Sequence, residues 1–409
     1  MSIISSKESI FNLLEDKNLD SEFREVLYKS LEGKEIKKEE AYRIIKTDNI
    51  ETLFFVASII RDNFKGKRIT YSRKIFIPLT NICRNKCGYC GFRREPKDKD
   101  AKIMKPDEVL SFAKSGSKAN CTEALFTLGE KPELKYPEVK QELKILGYSS
   151  TLEYLRDMCE LVIKNTGLLP HSNPGIMTKK ELADLKDVNA SMGLMLENVS
   201  DRLCDKNGPH EFSPGKRPKL RLATIEYAGQ LKIPFTTGLL IGIGESYNEI
   251  IDSLYAIKEI NEKYGHIQEI IIQNFRAKPN TPMQSHREPS LEEITKIIAL
   301  ARIIFLGKMN IQAPPNLINE YSAYLSAGIN DWGGISPITK DFINPEAPWP
   351  EINHLKRITE QNGFELKARL PVYPEFILNR SDLLPESLKS YIISLVDDSG
   401  FVKEAFDWV

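Results

Sequence analysis

This 409-residue sequence has no net charge, 57 Lys and Arg balancing 57 Asp and Glu, so no overall field draws it to nucleic acid or to anionic lipid. It has no stretch near the roughly 18 consecutive apolar residues that cross a bilayer as a helix. Cysteine is scarce, with six in the chain, too few to staple a fold of this length with disulfides. Histidine is scarcer, with five, the first being His171. Residues Met1 to Glu15 carry Lys7, Glu8 and Glu15 and lack both the apolar core of a secretory signal and the Arg-rich pattern of a transit peptide, so the expected location is cytoplasmic. There is no internal repeat and no low-complexity tract. What is there is an ordinary globular composition, 41% hydrophobic with 18 Phe and 15 Tyr. Such a chain can bury a large core, either as two or three domains of about 100–200 residues or as one barrel of about 250 residues with appendages.

Apolar positions at helical spacing, Ile10, Leu13 and Leu14 and then Phe54, Phe55, Ile59 and Ile60, predict a helical region over residues 1–68. From Ile75 the pattern changes to short apolar runs: Ile75–Thr80, Ala124–Leu128, Leu168–Ser172, Ala190–Leu196, Phe235–Ile241, Glu269–Phe275, Asn310–Ala313 and Ala327–Asp331. Helix starts fall between them as capping boxes, in which a hydroxyl and a carboxylate three residues on each satisfy an orphan amide: Ser150/Glu153, Thr178/Glu181, Ser246/Glu249 and Ser290/Glu293. A strand-then-helix unit repeated about eight times predicts an α/β fold, a (β/α)8 TIM-type barrel, full or partial, over residues 69–345. Pro78 removes a ladder donor, so the first strand should end or bulge there. Two long connections, Glu130–Tyr148 and Asn198–Pro218, leave the C-terminal ends of strands, where barrel enzymes build their sites, and are candidate lids. Residues 346–409 are Pro-rich and read as a C-terminal extension with helices around Glu351–Asn362 and Pro385–Asp397.

Half of the cysteines lie within eight residues. Cys83, Cys87 and Cys90 follow the first strand as Cys-x3-Cys-x2-Cys, whereas Cys121, Cys159 and Cys204 are scattered. Three thiolates on one loop can hold three irons of a 4Fe-4S cluster and leave the fourth iron without a protein ligand. A structural zinc site would want a fourth close ligand, and no other Cys or His is near in sequence.

This spacing at the top of a first barrel strand, with Tyr89 before the last cysteine, resembles the radical S-adenosylmethionine (SAM) superfamily. The resemblance implies that SAM chelates the open iron through its amino and carboxylate groups and is cleaved reductively to a 5′-deoxyadenosyl radical. It further implies that the backbone of Tyr89 contacts adenine, that Gly129 and Glu130 bind the methionyl amine and that Glu197 bonds the ribose. Arg221 would pair with the SAM carboxylate, and Gly242, within Gly238–Glu245, would pack on adenine. As Gly-x-Gly, that last segment is not a dinucleotide fingerprint, since the third glycine is missing.

A longer string is more specific. Tyr71–Arg73, Phe76–Asn81, Gly91–Arg94, Glu123–Thr127, Gly129–Glu133, Gly328–Pro337 and Arg369–Pro374 together resemble the family of CofG-type subunits of the deazaflavin (FO) synthase, over about residues 70–375. That resemblance implies a lyase. It would take the adduct of tyrosine's 4-hydroxybenzyl group with a ribitylaminouracil, made by a partner radical SAM subunit of the CofH type, and close it to 7,8-didemethyl-8-hydroxy-5-deazariboflavin with loss of ammonia. Residues at the ends of later strands would orient the flat, polar substrate: His171 and Asn173, Gln273 and Asn274, Gln312 and Asn316, Asn330 and Asp331. Asn and Gln match the alternating donors and acceptors of a uracil edge.

Arg84, Lys86, Arg93 and Arg94 surround the cysteine loop and could dock an acidic ferredoxin or flavodoxin. Cys159 shares an apolar helix face with Leu152, Leu155 and Val162 and reads as a buried thiol. His210, His266, His286 and His354 fall in polar stretches and receive no role. Rival readings are the partner subunit that joins tyrosine to the uracil, a menaquinone-pathway relative, and, in another class, a non-catalytic iron–sulfur or zinc protein. Tyr89-Cys90-Gly91-Phe92 followed by Arg93-Arg94 favours the lyase over the first two.

Overall fold

In the computed structural model, residues 19–403 are described; the positions Ile10, Leu13 and Leu14 lie outside them. Eight parallel strands pair in sequence order: β1 (Arg68–Thr80), β2 (Glu123–Leu128), β3 (Leu169–Asn173), β4 (Ser191–Gly193), β5 (Phe235–Ile241), β6 (Ile267–Asn274), β7 (Asn310–Gln312) and β8 (Asp331–Ile335). Strand β1 pairs with both β2 and β8, so the sheet closes on itself as a full (β/α)8 barrel. Parallel strands covered by helices are buried on both faces and read as continuous apolar runs; β5 is buried at every position.

The capping boxes at Thr178/Glu181, Ser246/Glu249 and Ser290/Glu293 open helices Lys179–Lys186, Tyr247–Tyr264 and Leu291–Phe305. At the fourth, Ser150 caps the Glu153 amide while the Glu153 carboxylate takes the Ser149 amide at 2.7 Å instead. The β1–β2 register slips between Pro78 and Thr80, at the residue that cannot donate to the ladder.

Two predicted features differ from the structure. The run Ala327–Asp331 is not the eighth strand: helix Tyr321–Ser326 ends in it, and β8 begins where the run stops. Alanine and glycine there follow a helix end, and Gly328 has φ +101°. The second concerns the C-terminal region. The two expected helices lie at Ile352–Gln361 and Glu386–Ser394, but between them are a further helix, Pro374–Asn379, and β9 (Glu365–Arg369), which pairs in parallel with the first half of β1. Strand β1 has 13 residues, long enough to carry β2 on its C-terminal half and β9 on its N-terminal half along the same side.

Beyond β9 the chain crosses under the barrel. The Pro371 carbonyl accepts from Ser191 Oγ at 2.7 Å and from Gln268 Nε2 at 2.9 Å, and the Tyr373 amide donates to Gln268 Oε1 at 3.3 Å. The N-terminal helices Ser21–Leu31, Lys38–Ile44 and Ile50–Lys65 pack outside, the last against Leu291–Phe305. One apolar core runs from Leu19 through the barrel to Val402. Among the described residues no helix is long and apolar enough to cross a membrane.

Candidate active site

A cavity of about 370 Å³ runs down the inside of the barrel, with the cysteine loop on its rim and charged side chains of β1, β2, β6 and β9 at its base. Cys83, Cys87 and Cys90 all line it and are free thiols. The loop is pinned from three directions. The Arg84 amide donates to the Glu130 carbonyl at 3.2 Å, Gly88 donates to the Pro209 carbonyl at 2.7 Å, and the Met283 amide donates to the Gly88 carbonyl at 3.0 Å. Gly129 sits where a Cβ would overlap the Ile82 carbonyl. The glycine therefore lets the end of β2 lie against the loop.

The donor chemistry fits an iron–sulfur cluster. The Glu130 amide already donates to Cys83 Sγ at 3.2 Å and the Ser213 hydroxyl to Cys87 Sγ at 3.3 Å, the kind of hydrogen bond that stabilises a ligating thiolate. Burial pushes the metal-free Cys83 thiol up to about 12 and raises Cys87, which Lys216 opposes. Among the described residues, no three His, Cys, Asp or Glu side chains converge closely enough to hold one metal ion.

The side chains that the superfamily resemblance singles out are mostly at this rim, several of them with partners of their own. Tyr89 is partly buried, its hydroxyl 3.0 Å from His210 Nε2. Glu130, 4% exposed, accepts from Arg84 Nε at 2.9 Å and Nη2 at 2.7 Å and from the Ile176 amide at 3.1 Å. Glu197 has φ +65°, rare for a residue with a side chain; its carboxylate pairs with Lys216 and lies 3.8 Å from Arg221. The Arg221 fork holds the carbonyls of Met195 (Nε, 2.6 Å) and Gly215 (Nη1, 2.9 Å). Gly242 is not in the cavity wall; its φ of +97° turns the chain beyond β5, the Glu245 carboxylate takes its amide at 2.7 Å, and Leu240 lines the wall instead.

Of the eight residues assigned to substrate, His171, Asn173, Gln273, Asn274 and Gln312 line the cavity. Asn274 Oδ1 is buried with no donor. Asn316, Asn330 and Asp331 do not line it. Asn316 donates to Asp341 and to the Ala347 carbonyl, both at 3.0 Å. Asn330 is held by Arg302 at 2.6 Å and by Asn310 at 2.8 Å. Both Asn330 and Asp331 fall at the N-terminal end of β8 because that strand begins later than its apolar run indicated.

Neither candidate lid is a bare loop. The first contains helix Pro137–Ile145, and the second carries two 3-10 turns and braces the cysteine loop. The basic residues at the rim are already paired: Arg84 with Glu130, Lys86 and Arg93 with Glu95, Arg94 with Asp100. A positive docking patch is therefore largely neutralised.

The base of the cavity is built of charged side chains. Lys74, Glu123 and Glu269 project inward from β1, β2 and β6, and Arg369 reaches in from β9. Arg369 binds Asp331 through Nε at 2.6 Å and Nη2 at 2.9 Å. Glu269 accepts from Tyr373 at 2.6 Å and Thr236 at 2.8 Å, and burial raises its pKa against the opposing effect of Arg369. His171 bonds Ser191 at 2.6 Å, and burial drops its pKa to about 4, so the ring is neutral. The available signal was a charge at each of these positions bordering or interrupting an apolar parallel strand, where a structural core has no use for one.

Comparison with known proteins agrees with this architecture. The family described as the Radical SAM superfamily matches residues 77–255. A 7,8-didemethyl-8-hydroxy-5-deazariboflavin synthase of Methanopyrus kandleri is 50% identical over 336 residues, 82% of this chain and the whole of that protein. One of Methanocaldococcus jannaschii is 51% identical over 370 residues, 90% of this chain and again the whole relative. Among solved structures, the FeFe-hydrogenase maturase HydG from Carboxydothermus hydrogenoformans superposes with a TM-score of 0.71 at 19% identity, covering 98% of this chain and 96% of that one. Methylornithine synthase (PylB) gives 0.67 at 20% identity, covering 83% and 97%. At such identities the likeness is one of fold.

Proposed function

The chain belongs to the 7,8-didemethyl-8-hydroxy-5-deazariboflavin synthase family of radical SAM enzymes, a lyase of deazaflavin biosynthesis, and on that premise we propose the reaction and the residues that serve it. The substrate is the 5-amino-5-(4-hydroxybenzyl)-6-(ribitylimino)-dihydrouracil adduct delivered by a CofH-type partner. The product is the closed three-ring deazaflavin. Ammonia leaves, together with two hydrogens, one as an atom and one as a proton with its electron, for which the cofactor would be the acceptor.

Cys83, Cys87 and Cys90 would hold a 4Fe-4S cluster with SAM on its open iron, and that pair would supply an electron and accept the hydrogen atom. The protein's own part is positioning. Glu130, Glu197 and Arg221 line the rim where SAM would lie. Asn173, Gln273, Asn274 and Gln312 present amides to the ring edges of the substrate, and the Asn274 Oδ1 without a donor awaits an N–H. A ferredoxin or flavodoxin would provide the electron.

The observation that carries this reading is that one cavity joins the cysteine loop to these amides and to the polar base, so that a small molecule can lie between cluster and barrel floor. The deciding experiment incubates the anaerobically reconstituted protein with SAM, reductant and the adduct. Deazaflavin fluorescence is expected. Formation of the adduct from tyrosine and ribitylaminouracil would show the partner's activity instead, and absence of 5′-deoxyadenosine would leave only a non-catalytic metal protein.

A further inference from the structure

One buried cation in the cavity has only aromatic rings for partners. Lys74 lies midway along β1, 7% exposed, on the inward face between Ser72 and Phe76. Among the described residues its ammonium forms no hydrogen bond or ion pair, and Nζ stands 4.7 Å from the Trp349 ring centroid and 5.5 Å from that of Phe76. A buried charge without an acceptor is strongly disfavoured. The fold nevertheless makes room for it: on β8, Gly334 lies where a Cβ would overlap the Lys74 stem.

Its neighbours set its character. Burial lowers the pKa of the ammonium; Glu123, its register partner on β2, together with Asp341 and Glu269, opposes that effect, and Arg369 adds to it. A lysine so placed gives up and regains a proton readily. The other groups at the base are engaged. Glu123 accepts from Ser72, Glu269 is held by Tyr373 and Thr236, His171 is bonded to Ser191, and Arg369 does not release its proton.

We propose that Lys74 is the acid, and then the base, that expels ammonia from the substrate, an inference that rests on the ring-closing reading above. The carbon–nitrogen bond breaks with its electron pair going to nitrogen, which takes a proton from the Lys74 ammonium and leaves as ammonia. A proton on the atom adjacent to that carbon then passes to the neutral Lys74 amine, its bonding pair becoming the new double bond. Lysine ends as it began, and no electron is gained or lost in the elimination. Trp349 and Phe76 line the same cavity beside Lys74 and offer aromatic surface to a flat ring.

The test uses the reconstituted enzyme with SAM, reductant and adduct, in wild type, Lys74→Met and Lys74→Arg, after checking iron content. In both variants ammonia release and deazaflavin formation should fall by about 100-fold or more, while adduct-dependent 5′-deoxyadenosine formation stays within about threefold. A species that retains the amine nitrogen should accumulate and be visible by mass, and added methylamine should restore ammonia release in Lys74→Met. Near-wild-type ammonia release in either variant overturns the proposal; in Lys74→Arg it would show that charge alone suffices. Loss of 5′-deoxyadenosine in step with ammonia also overturns it, as a binding defect. If Lys74→Met fails to load iron, Lys74→Arg decides alone. A wild-type enzyme that makes neither ammonia nor deazaflavin removes the ring-closing premise and this inference with it.

Discussion

Arg369, from the last strand of the chain, grips Asp331, at the start of the eighth barrel strand, with two hydrogen bonds of 2.6 and 2.9 Å, both residues fully enclosed. Removing one member of a buried pair leaves the other charge without compensation, so Asp331→Asn or Arg369→Met should each reduce unfolding free energy by about 3–5 kcal/mol. The double variant should cost less than the sum, because the orphaned charge disappears. Urea midpoints measure this, and midpoints matching the parent would mean the pair contributes nothing.

Replacing Cys83, Cys87 or Cys90 by Ala should abolish iron loading and SAM cleavage, since two thiolates cannot keep a cluster with one open iron. Cys121→Ala, Cys159→Ala and Cys204→Ala should keep full iron. Cys159 is wholly buried against Ser172 and Asn189, so its loss should appear as a lower melting temperature. Iron content and 5′-deoxyadenosine yield separate the two groups.

Glu130→Gln and Arg221→Met should each weaken SAM cleavage and each cost stability, since Glu130 is itself engaged by Arg84 and the Ile176 amide. Glu130 at the rim would meet the ammonium of SAM, and losing a charge-assisted hydrogen bond of about 1.5–3 kcal/mol raises the SAM concentration for half-maximal cleavage about ten- to a hundredfold. Arg221 already satisfies two backbone carbonyls, and leaving them bare should also cost about 1–3 kcal/mol of stability. SAM titrations and melting curves on both variants supply the answer. An Arg221→Met protein that melts like the parent would remove the structural half of this account.

His266, enclosed among Phe235, Tyr264 and Ile225, has its pKa pulled by burial from 6.5 to about 4. The unfolded chain then binds the proton first, so stability contributed by the neutral ring is complete above pH 6.5 and is lost as pH falls towards 4. The expected loss is about 3 kcal/mol across that window. Denaturation midpoints of the parent and of His266→Gln, followed from pH 7 to pH 4, should converge as acid is added. Parallel curves would contradict the assignment.

Where local patterns dictate structure, the sequence could be read. Hydroxyl and carboxylate spacing marks four helix starts, Pro78 marks the slip in β1, and the cysteine spacing marks the rim of the cavity. The failures have one origin: they concern contacts between distant segments. Nothing near Glu365 announces that it will pair with Arg68, so β9 reads as part of an extension and Arg369 stands in a motif without a role. The residues Ala327–Ile329 are apolar because they end a helix within the core, and their composition alone does not distinguish that from a strand. Asn330 and Asp331 consequently lie at the N-terminal end of β8, opposite the end that the apolar run indicates. Lys74 and Glu123 became legible only once the register placed them side by side.

The crossing of Arg369 to Tyr373 beneath the strands makes the compartment a cul-de-sac whose mouth is beside the cysteine loop. A molecule held at Lys74 and Glu269 therefore has packed chain beneath it, and exchange with solvent is left to the C-terminal ends of the strands, the side that carries the cysteine loop.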